Sequence, residues 1–341
     1  MMKREIGNYH FVADAKTGIT FRWGKTFDDN PTFAPVPELA DISISNHCTK
    51  GCSFCYRDSG ANEEFMKLDD YVHVLENMNH PQYGNVFQIA IGGGEPLEHP
   101  DFLEIINETC KRGIVPNFTT NGINLTSEIC KKIKGKVGAV ALSVTSVDEI
   151  LSDKVSMLKN EFIRVNIHYV LSADNIKEAT SIVKGDYSDK LVGINALIFL
   201  TYKPAGRASS KNIIKAGNEL DGFMKAIDNK SMKIPKIGFD ACFVPMLMYY
   251  TNIRPELIDS CEGGYFSVYI DHNMNVSPCS FSGDKDCYSL KTYDFYDIWQ
   301  NKFEMFRQKH NNQCKNSNCK AHYMCRGCCP YYPEITTCYA Y

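Results

Sequence analysis

Residues 46–56 read Asn46-His47-Cys48-Thr49-Lys50-Gly51-Cys52-Ser53-Phe54-Cys55-Tyr56, and we call them the three-cysteine loop. The C-x3-C-x2-C spacing lets each of three thiolates reach a different iron of a cuboidal iron–sulfur cluster. No fourth cysteine lies nearby, so one iron would stay open to a small chelating ligand, as in reactive rather than structural metal sites. A zinc site, or a set of merely buried thiols, is the alternative interpretation.

Length and composition limit the number of domains and the kinds of partner that we expect. The 341 residues suffice for one large domain with a smaller one, or for a barrel with additions, and 44% of them are hydrophobic. The formal net charge of −3 argues against a broad nucleic-acid-binding surface. The first residues carry charge without an apolar run behind them, which excludes a secretory signal, and no stretch approaches the roughly 18 apolar residues of a membrane span. We therefore expect a cytoplasmic protein with neither a nucleic-acid nor a membrane partner.

Cysteine is unusually frequent, at 15 residues. An odd number without an export signal argues against a disulfide framework and favours metal or cluster ligation. Cys110 and Cys130 fall on apolar faces of predicted helices and are expected to be core residues. Ten cysteines follow from Cys242 onward. Two metal-bearing regions are therefore implied, one near each end of the chain.

Strand and helix patterns alternate through the first two thirds of the chain. Residues 8–23 predict a β-hairpin turning at Gly18, and a proline-marked link spans 31–37. A short apolar strand, a loop and a segment with apolar residues at helical spacing then occur six times. The predicted strands are Asp41–Asn46, Val86–Gly92, Ile114–Thr119, Val137–Val144, Ile163–Leu171 and Leu191–Leu200. This order predicts an α/β fold with a parallel sheet, either an incomplete barrel or an open doubly wound sheet.

The unusual residues fall where these strands end. The three-cysteine loop follows the first strand, 92–96 (Gly-Gly-Gly-Glu-Pro) the second, and 119–122 (Thr-Thr-Asn-Gly) ends the third. Ser143 ends the fourth strand, and 204–207 (Pro-Ala-Gly-Arg) follows the sixth. Parallel α/β folds gather their chemistry at the carboxyl ends of their strands. One site at that end is therefore predicted.

The pattern changes near residue 230, where cysteine-rich loops surround one predicted hairpin, Tyr265 to Cys279, turning at residues 271–273. The polar stretch 229–236 contains Pro235 and suggests a boundary. We therefore predict three parts: an amino-terminal hairpin and link (1–37), a core (38–232) and a cysteine-rich domain (233–341).

Cys48, Cys52 and Cys55, followed by Gly93-Gly94-Glu95 and then by residues 120–122, resemble the radical S-adenosylmethionine (radical SAM) enzymes. The resemblance implies a partial (β/α)6, TIM-like barrel. It also implies a 4Fe-4S cluster whose open iron is chelated by S-adenosylmethionine (SAM). Reductive cleavage of SAM would then yield a 5′-deoxyadenosyl radical that takes a hydrogen atom from a substrate.

The resemblance gives the glycine turn a role in cofactor binding. Gly93 and Gly94 would let backbone carbonyls approach the methionyl amine of SAM, because no side chain intervenes. Glu95 would anchor this loop. Asn121 belongs to the matching turn after the next strand, and is assigned to the cofactor site as well.

Further residues are assigned to the cofactor or the substrate by the same resemblance. Phe54 would lie against the adenine. Ser143 would bond a ribose hydroxyl or a carboxylate, and Arg207 would pair with a carboxylate of cofactor or substrate. A strand cap and a surface charge are their respective alternatives. Asn166 and His168 are predicted to face the lumen, and His168 is a candidate substrate contact unless it is a core histidine.

The spacing Cys314-x4-Cys319-x5-Cys325-x3-Cys329, followed by Cys338, resembles SPASM domains, carboxy-terminal extensions that hold two auxiliary 4Fe-4S clusters. Carried over position by position, the resemblance implies one ligand set of Cys242, Cys261, Cys279 and Cys329, and a second of Cys314, Cys319, Cys325 and Cys338. Structural zinc sites with four cysteines are the alternative.

The chain departs from the SPASM pattern among its cysteines. The gap between Cys314 and Cys319 is two residues longer than usual. Cys328 stands where glycine is usual, which leaves the choice between it and Cys329 as ligand open. Cys242 is the least secure ligand, and Cys287 has no assigned role.

The turn of the predicted hairpin also departs from that pattern. Met274 stands at a position that is usually glycine. We therefore expect Asn273 to take the positive φ, since asparagine tolerates it better than other residues with side chains.

SPASM-bearing enzymes mostly act on peptides or proteins. The resemblance therefore implies hydrogen abstraction from a peptide or protein substrate, in a maturation such as thioether or carbon–carbon cross-linking or oxidation. It also implies a reducing partner such as flavodoxin or ferredoxin. The amino-terminal hairpin and link are shorter than the winged-helix leader-binding domain of many such maturases.

Three alternatives remain open at this point. A peptide epimerase would use a spare cysteine, Cys242, Cys287 or Cys328, to return a hydrogen atom. A small-molecule dehydrogenase or rearrangement enzyme would act without a peptide. A non-catalytic zinc- or metal-binding interaction protein would do no radical chemistry.

Overall fold

The computed structural model describes residues 1–311, 314, 316–322 and 324–338. The amino-terminal part is an antiparallel meander of β1 (Met2–Ile6), β2 (Tyr9–Ala13) and β3 (Thr20–Trp23). The predicted hairpin is confirmed as β2 and β3, whereas β1 was not predicted. The sequence of β1 is polar, but Arg4 within it is buried. The guanidinium of Arg4 donates to the carbonyl of Pro37 at 3.1 Å.

The six predicted strands are confirmed and pair in parallel in chain order. They are β4 (Leu39–Ser43), β5 (Gln88–Gly92), β6 (Val115–Thr120), β7 (Ala139–Val144), β8 (Arg164–Leu171) and β9 (Ala196–Thr201). Burial alternates along β8 through its whole length. One set of side chains therefore packs under the helices, and the other set faces the lumen.

Helices cover the outer face of this sheet. They are α1 (Leu68–Asn77), α2 (Phe102–Lys111), α3 (Ser127–Ile133), α4 (Ser152–Asn160), α5 (Ile176–Lys184) and α6 (Asn218–Asp228). Their apolar faces and the outward side chains of the strands form one continuous core. None of the helices in the described part of the chain is both long and apolar enough to span a membrane.

The sheet continues into the cysteine-rich region at both of its edges. Beside β9 lies β10 (Lys236–Phe239), and beside β4 lies β11 (Ser267–Ile270), both in parallel. β12 (Asn275–Ser277) and β13 (Tyr288–Ser289) extend the second edge in antiparallel fashion, which gives ten strands among the described residues. The region after residue 232 is therefore built onto the barrel sheet.

The remaining helices pack against this extension. They are α7 (Val244–Tyr250), α8 (Phe295–Asp297) and α9 (Phe303–Asn311), with a wider helical turn over residues 298–302. Trp299 is fully buried, and its indole N–H donates to the carbonyl of Ala34 at 2.9 Å. This bond joins the amino-terminal link to the carboxy-terminal part.

The turn between β11 and β12 differs from the expectation. The predicted hairpin is confirmed, but Met274 takes the positive φ, at +64°, so the expectation for Asn273 is wrong. The Met274 side chain is 5% exposed and belongs to the main core, while Asp271 caps the backbone N–H of Asn273 and Asn275. Burial of the methionine therefore outweighs the cost of its backbone conformation.

We expect Met274→Gly to cost less stability than Met274→Ala. Both lose a buried side chain, which costs roughly 2–5 kcal/mol for Met→Ala in cores, but glycine accepts the positive φ at a saving of about 1 kcal/mol. Thermal unfolding followed by circular dichroism should rank wild type first and Met274→Ala last. Asn273→Gly, in the exposed part of the same turn, serves as a near-neutral control. A Met274→Gly protein more stable than wild type would contradict the role given to burial.

Candidate active site and cysteine clusters

The three cysteines predicted to hold a cluster lie in the loop that follows β4. Cys48, Cys52 and Cys55 are all half-buried. The backbone N–H of Cys55 donates to the carbonyl of Cys52 at 3.3 Å, and that of Cys48 to Gly60 at 3.0 Å. Burial raises the pKa of Cys48 and of Cys52 above that of an ordinary thiol. A cation at this loop, such as iron, would hold them as thiolates at neutral pH.

The glycine turn after β5 packs directly against the three-cysteine loop. Gly94 donates its N–H to the carbonyl of Ser45, and Glu95 to that of His47, both at 2.8 Å. A Cβ on Gly93 would lie 2.3 Å from the Ser45 oxygen, and one on Gly94 would lie 1.8 Å from the His47 oxygen. Gly93 also has a φ of +121°. The two loops can therefore touch only because no side chain separates them.

The carboxylate of Glu95 ties this turn to the end of β6. It is 2% exposed and accepts hydrogen bonds from Thr120 Oγ1 at 2.6 Å, from the Asn121 N–H at 2.7 Å and from the Leu97 N–H at 3.1 Å. Burial raises its pKa, and these bonds only partly offset the rise. The ends of three neighbouring strands are thus joined around one buried acid.

Arg207 also holds the three-cysteine loop. Its Nε donates to the carbonyl of Cys52 at 2.9 Å, and its Nη1 donates to Asp58 Oδ1 at 2.9 Å and to the carbonyl of Ser59 at 2.7 Å. Its backbone N–H donates to the carbonyl of Cys55 at 3.0 Å. The carboxylate beside this guanidinium is therefore that of Asp58. A pairing with cofactor or substrate stays a prediction.

Other predicted residues line the lumen or its mouth. Ser143 and His168 are register partners on β7 and β8, and His168 Nδ1 lies 3.3 Å from Thr119 Oγ1. Burial lowers the pKa of His168 to about 4, so the imidazole is neutral at physiological pH. Phe54 packs against the small apolar cluster that contains Tyr202. Contact of these side chains with cofactor or substrate stays a prediction.

Four distant cysteines meet at one cavity of about 250 Å³; they are Cys242, Cys261, Cys279 and Cys329. The thiols of Cys242 and Cys329 are hydrogen-bonded to each other. Burial raises the pKa of Cys261 to about 12, and that of Cys279 further still. Cys328 borders the same cavity. The structure thus brings together the first set of four that the SPASM resemblance implies.

The second set gathers beside α7. Cys314, Cys319, Cys325 and Cys338 border a smaller space, together with Pro245 and Met248. Burial raises the pKa of Cys325 to about 11, and the other three thiols are close enough to add to that rise. The segment 325–329 contributes a cysteine to each set, Cys325 to the second and Cys329 to the first.

The remaining cysteines lie outside these sets. Cys130 is fully buried in the main core, and Cys110 packs against that core, as expected. The thiol of Cys287 interacts with the side chain of Ser277, and burial raises its pKa. Within the described ranges, no three His, Cys, Asp or Glu side chains lie close enough together to hold a single metal ion.

Comparison with known proteins identifies the part of the site that contains the three-cysteine loop and the glycine turn. The sequence model of the Radical SAM superfamily matches residues 42–195, which include the three-cysteine loop and the glycine turn. Residues 42–195 form a radical SAM domain. The members of this superfamily are enzymes that use a 4Fe-4S cluster and SAM.

Relatives of the radical SAM domain extend the comparison. The AdoMet-dependent heme synthase of Nitratidesulfovibrio vulgaris is 22% identical over 89% of this chain and 89% of that protein. Mycofactocin maturase MftC of Mycobacterium tuberculosis is 30% identical over 29% of this chain and 25% of that protein. The crystal structure of Streptococcus suis SuiB bound to precursor peptide SuiA has a TM-score of 0.66 at 17% identity, and covers 87% of this chain and 72% of that chain. That likeness shows a common fold, a partial barrel with a carboxy-terminal extension.

The residues of the radical SAM domain fit a cluster and SAM. The three-cysteine loop offers thiols, the donors that iron–sulfur clusters use. The amide Nδ2 of Asn121 is buried and has no hydrogen-bond partner in the described part of the chain, although its Oδ1 accepts from the Ile123 N–H at 2.8 Å. A buried donor of this kind costs free energy until an acceptor reaches it. Asn121 is therefore suited to donate to a polar group of a bound cofactor.

Sequence reasoning missed a buried ion pair beside the first set of cysteines. Lys203 Nζ lies 2.9 Å from Asp240 Oδ2, and Thr201 Oγ1 donates to Asp240 Oδ1 at 2.6 Å. The ammonium also lies 4.2 Å from the centroid of the Phe281 ring. Lys203 follows β9, and Asp240 follows β10. The parallel pairing of these two strands brings the residues together. The sequence offers no local signal for that contact.

The residues directly after Cys55 were missed in the same way. Arg57 donates to the hydroxyl of Tyr269 on β11, and Tyr56 packs against Phe281 with tilted rings whose centroids are 4.5 Å apart. Burial raises the pKa of Asp41 to about 6, although the nearby Arg57 opposes the rise. A polar and aromatic layer therefore connects the radical SAM domain with the cysteine-rich region.

We expect Gly94→Ala to prevent cluster assembly at the three-cysteine loop, because the added Cβ would meet the carbonyl of His47. Iron measured after anaerobic reconstitution should fall by one cluster, about four atoms per chain, and 5′-deoxyadenosine formation should be lost. Gly222→Ala is the matched control, since nothing lies within 4 Å of its Cβ. Normal iron content and cleavage in Gly94→Ala would show that the contact between the loops is dispensable.

We expect Arg207→Ala to lower iron content at the three-cysteine loop and to slow SAM cleavage several-fold, even without substrate, because the side-chain bonds to Cys52 in the loop and to Asp58 and Ser59 just after it are lost. Arg207→Lys keeps the positive charge but lacks the planar guanidinium that donates to several acceptors. It should therefore give an iron content and a rate of SAM cleavage between those of wild type and Arg207→Ala. Should both variants cleave SAM normally while the KM for substrate rises, Arg207 would instead be a substrate contact.

Proposed function

We propose that the protein is a radical SAM enzyme that takes a hydrogen atom from a peptide or protein substrate during its maturation. When bound, SAM and the cluster supply a 5′-deoxyadenosyl radical after one electron has been delivered. Cys48, Cys52 and Cys55 would hold that cluster, and Gly93, Gly94 and Asn121 would bind and orient SAM. Phe54, Ser143 and Arg207 complete the proposed set.

One cavity carries this proposal, because it borders both the barrel and the first set of cysteines. Asp41 lines it from β4 of the barrel, Tyr269 lines it from the adjoining β11, and Cys242 and Cys279 line it as well. A substrate in the lumen would lie beside these thiols. Oxidation or cross-linking of a substrate requires an acceptor for one electron after hydrogen abstraction, and a cluster at this position is suited to that role.

We propose that residues 233–341 form a SPASM-like domain with two auxiliary 4Fe-4S clusters. In this division the core spans residues 38–232, and the amino-terminal hairpin and link span residues 1–37. The proposed ligand sets are Cys242, Cys261, Cys279 and Cys329 for the first cluster, and Cys314, Cys319, Cys325 and Cys338 for the second. The contact between the thiols of Cys242 and Cys329 supports both as ligands and favours Cys329 over Cys328. Zinc at these positions is the competing outcome.

The choice of a peptide substrate is supported by two of the relatives. SuiB has been crystallised with the precursor peptide SuiA, and MftC is a maturase. A flavodoxin or ferredoxin is the proposed reducing partner.

A second candidate is the oxidation of a small molecule. A relative that aligns over 89% of this chain is named as a heme synthase, and its identity of 22% spans both parts of the fold. The lumen near Asp41 would then hold a compact polar substrate. The two candidates share SAM cleavage and differ only in what occupies the lumen.

We expect Cys52→Ala to abolish reductive cleavage of SAM, whereas Cys325→Ala should remove one cluster, about four iron atoms per chain, and retain some cleavage. Iron analysis and quantification of 5′-deoxyadenosine after addition of dithionite and SAM measure both effects. Cys287→Ala, outside both proposed sets, is the control and should retain iron and cleavage. Zinc in place of iron in the wild-type protein would refute the radical mechanism, and unchanged iron in Cys325→Ala would refute the second auxiliary cluster.

The substrate class is tested by incubation with peptides encoded beside the gene, in deuterated water. Cross-linking or oxidation should give a mass loss without a solvent deuteron at the altered carbon. One deuteron at an α-carbon without a further mass change would indicate epimerisation instead. Turnover of a porphyrin-type compound, with no reaction of any peptide, would favour the second candidate.

A further inference from the structure

We propose that Lys203 is a fixed positive charge that raises the reduction potential of the first auxiliary cluster and thereby makes it a better electron acceptor. The inference rests on the proposed function, because it takes the cysteines around the cavity as ligands of that cluster. It concerns a residue that belongs neither to the SAM-binding set nor to the ligand sets.

The position of Lys203 is unusual for a lysine. Its side chain is 2% exposed, and its ammonium donates to Asp240 Oδ2 at 2.9 Å and to the carbonyl of Thr201 at 3.2 Å. The third side of the ammonium faces the ring of Phe281 at 4.2 Å. A lysine is seldom buried this completely unless it is paired. Its partners hold the charge in one place at the wall of the cavity that Cys242 and Cys279 also line.

Asp240 does not cancel this charge at the cysteines. The Asp240 side chain is 20% exposed, against 2% for Lys203, so solvent screens the carboxylate more than the ammonium. Thr201 Oγ1 also donates to the carboxylate, at 2.6 Å, and satisfies part of its charge. The ion pair therefore leaves a net positive charge at the wall of the cavity that Cys242 and Cys279 line.

The sign of the effect follows from the charges. A 4Fe-4S cluster with four thiolate ligands is anionic, and its reduction adds one more negative charge, so net charge and hydrogen bonding around the cluster set its potential. A buried cation stabilises the reduced form more than the oxidised form, and the low dielectric of the interior strengthens this effect. The substrate radical left by hydrogen abstraction would lose one electron, which reduces the cluster, and one proton, which passes to solvent. The cluster would then pass that electron to a carrier of the flavodoxin or ferredoxin class.

The experiment measures the potential of the first auxiliary cluster by itself. A full-length background with Cys48→Ala, Cys52→Ala, Cys55→Ala and Cys325→Ala removes the other two clusters, and should retain about four iron atoms per chain. Three variants are compared in this background: Lys203→Met, Lys203→Arg, and Lys203→Met combined with Asp240→Asn. Redox titration followed by electron paramagnetic resonance gives the midpoint potential of each without any need for activity.

We expect Lys203→Met and the double variant to shift the midpoint to lower potential, so that well under half of the cluster is reduced at the wild-type midpoint. Lys203→Arg keeps the charge and should stay near wild type. The double variant decides the outcome if Lys203→Met alone fails to fold because Asp240 is left unpaired. An unchanged or higher midpoint in the double variant, with its iron retained, would overturn the inference. Absence of iron from the background before any change at Lys203 would instead refute the proposed ligand set.

Discussion

An incomplete parallel barrel has two open edges, and in this protein both are paired with strands from the cysteine-rich region. Unpaired N–H and C=O groups along an edge strand must find partners or be covered. β10 satisfies the edge at β9, and β11 satisfies the edge at β4. Cys242 follows the first of these strands, and Cys261 and Cys279 flank the hairpin that contains the second. Backbone pairing at the edges therefore determines which thiols meet at the cavity.

The polar and charged side chains at the barrel mouth are brought together by the same strand pairing. Asp41, Arg57 and Tyr269 come from three separate segments and meet because β4 and β11 are neighbours. Lys203 and Asp240 meet because β9 and β10 are neighbours. Buried charges in such positions are costly unless they are paired. Their presence beside the proposed cluster points to electrostatic requirements of the site rather than to stability alone.

The sequence predicts much of this fold because its strands are short, apolar and regularly spaced. All six barrel strands were found, and so were the loops at their carboxyl ends. β10 was missed because only Ile237 and Phe239 give it apolar character, and Pro235 precedes it in a stretch that suggests a boundary. The positive φ was wrongly predicted for Asn273 because the preference of asparagine for this conformation is a local property. Burial of Met274, which overrides that preference, depends on the whole core.

The candidate site likewise has one part that the sequence predicts and another part that it does not. The three-cysteine loop and the glycine turn could be recognised because each is contiguous in sequence. The role of Glu95 in joining strand ends, and the hold of Arg207 on the loop, depend on contacts between segments far apart in the chain. The ion pair of Lys203 and Asp240 had no signal at all, since neither residue lies in a motif. Such contacts become visible only when the register of the strands is known.

The pairing of β11 with β4 also has a consequence for biosynthesis. The first barrel strand leaves the ribosome early, but its outer edge has no partner until most of the chain has been translated. Such non-local pairing makes folding slow, because a long loop must close before the contact forms. Pairing of β11 with the outer edge of β4 is therefore expected to be a late step of folding, after the strands that are contiguous in the chain have paired.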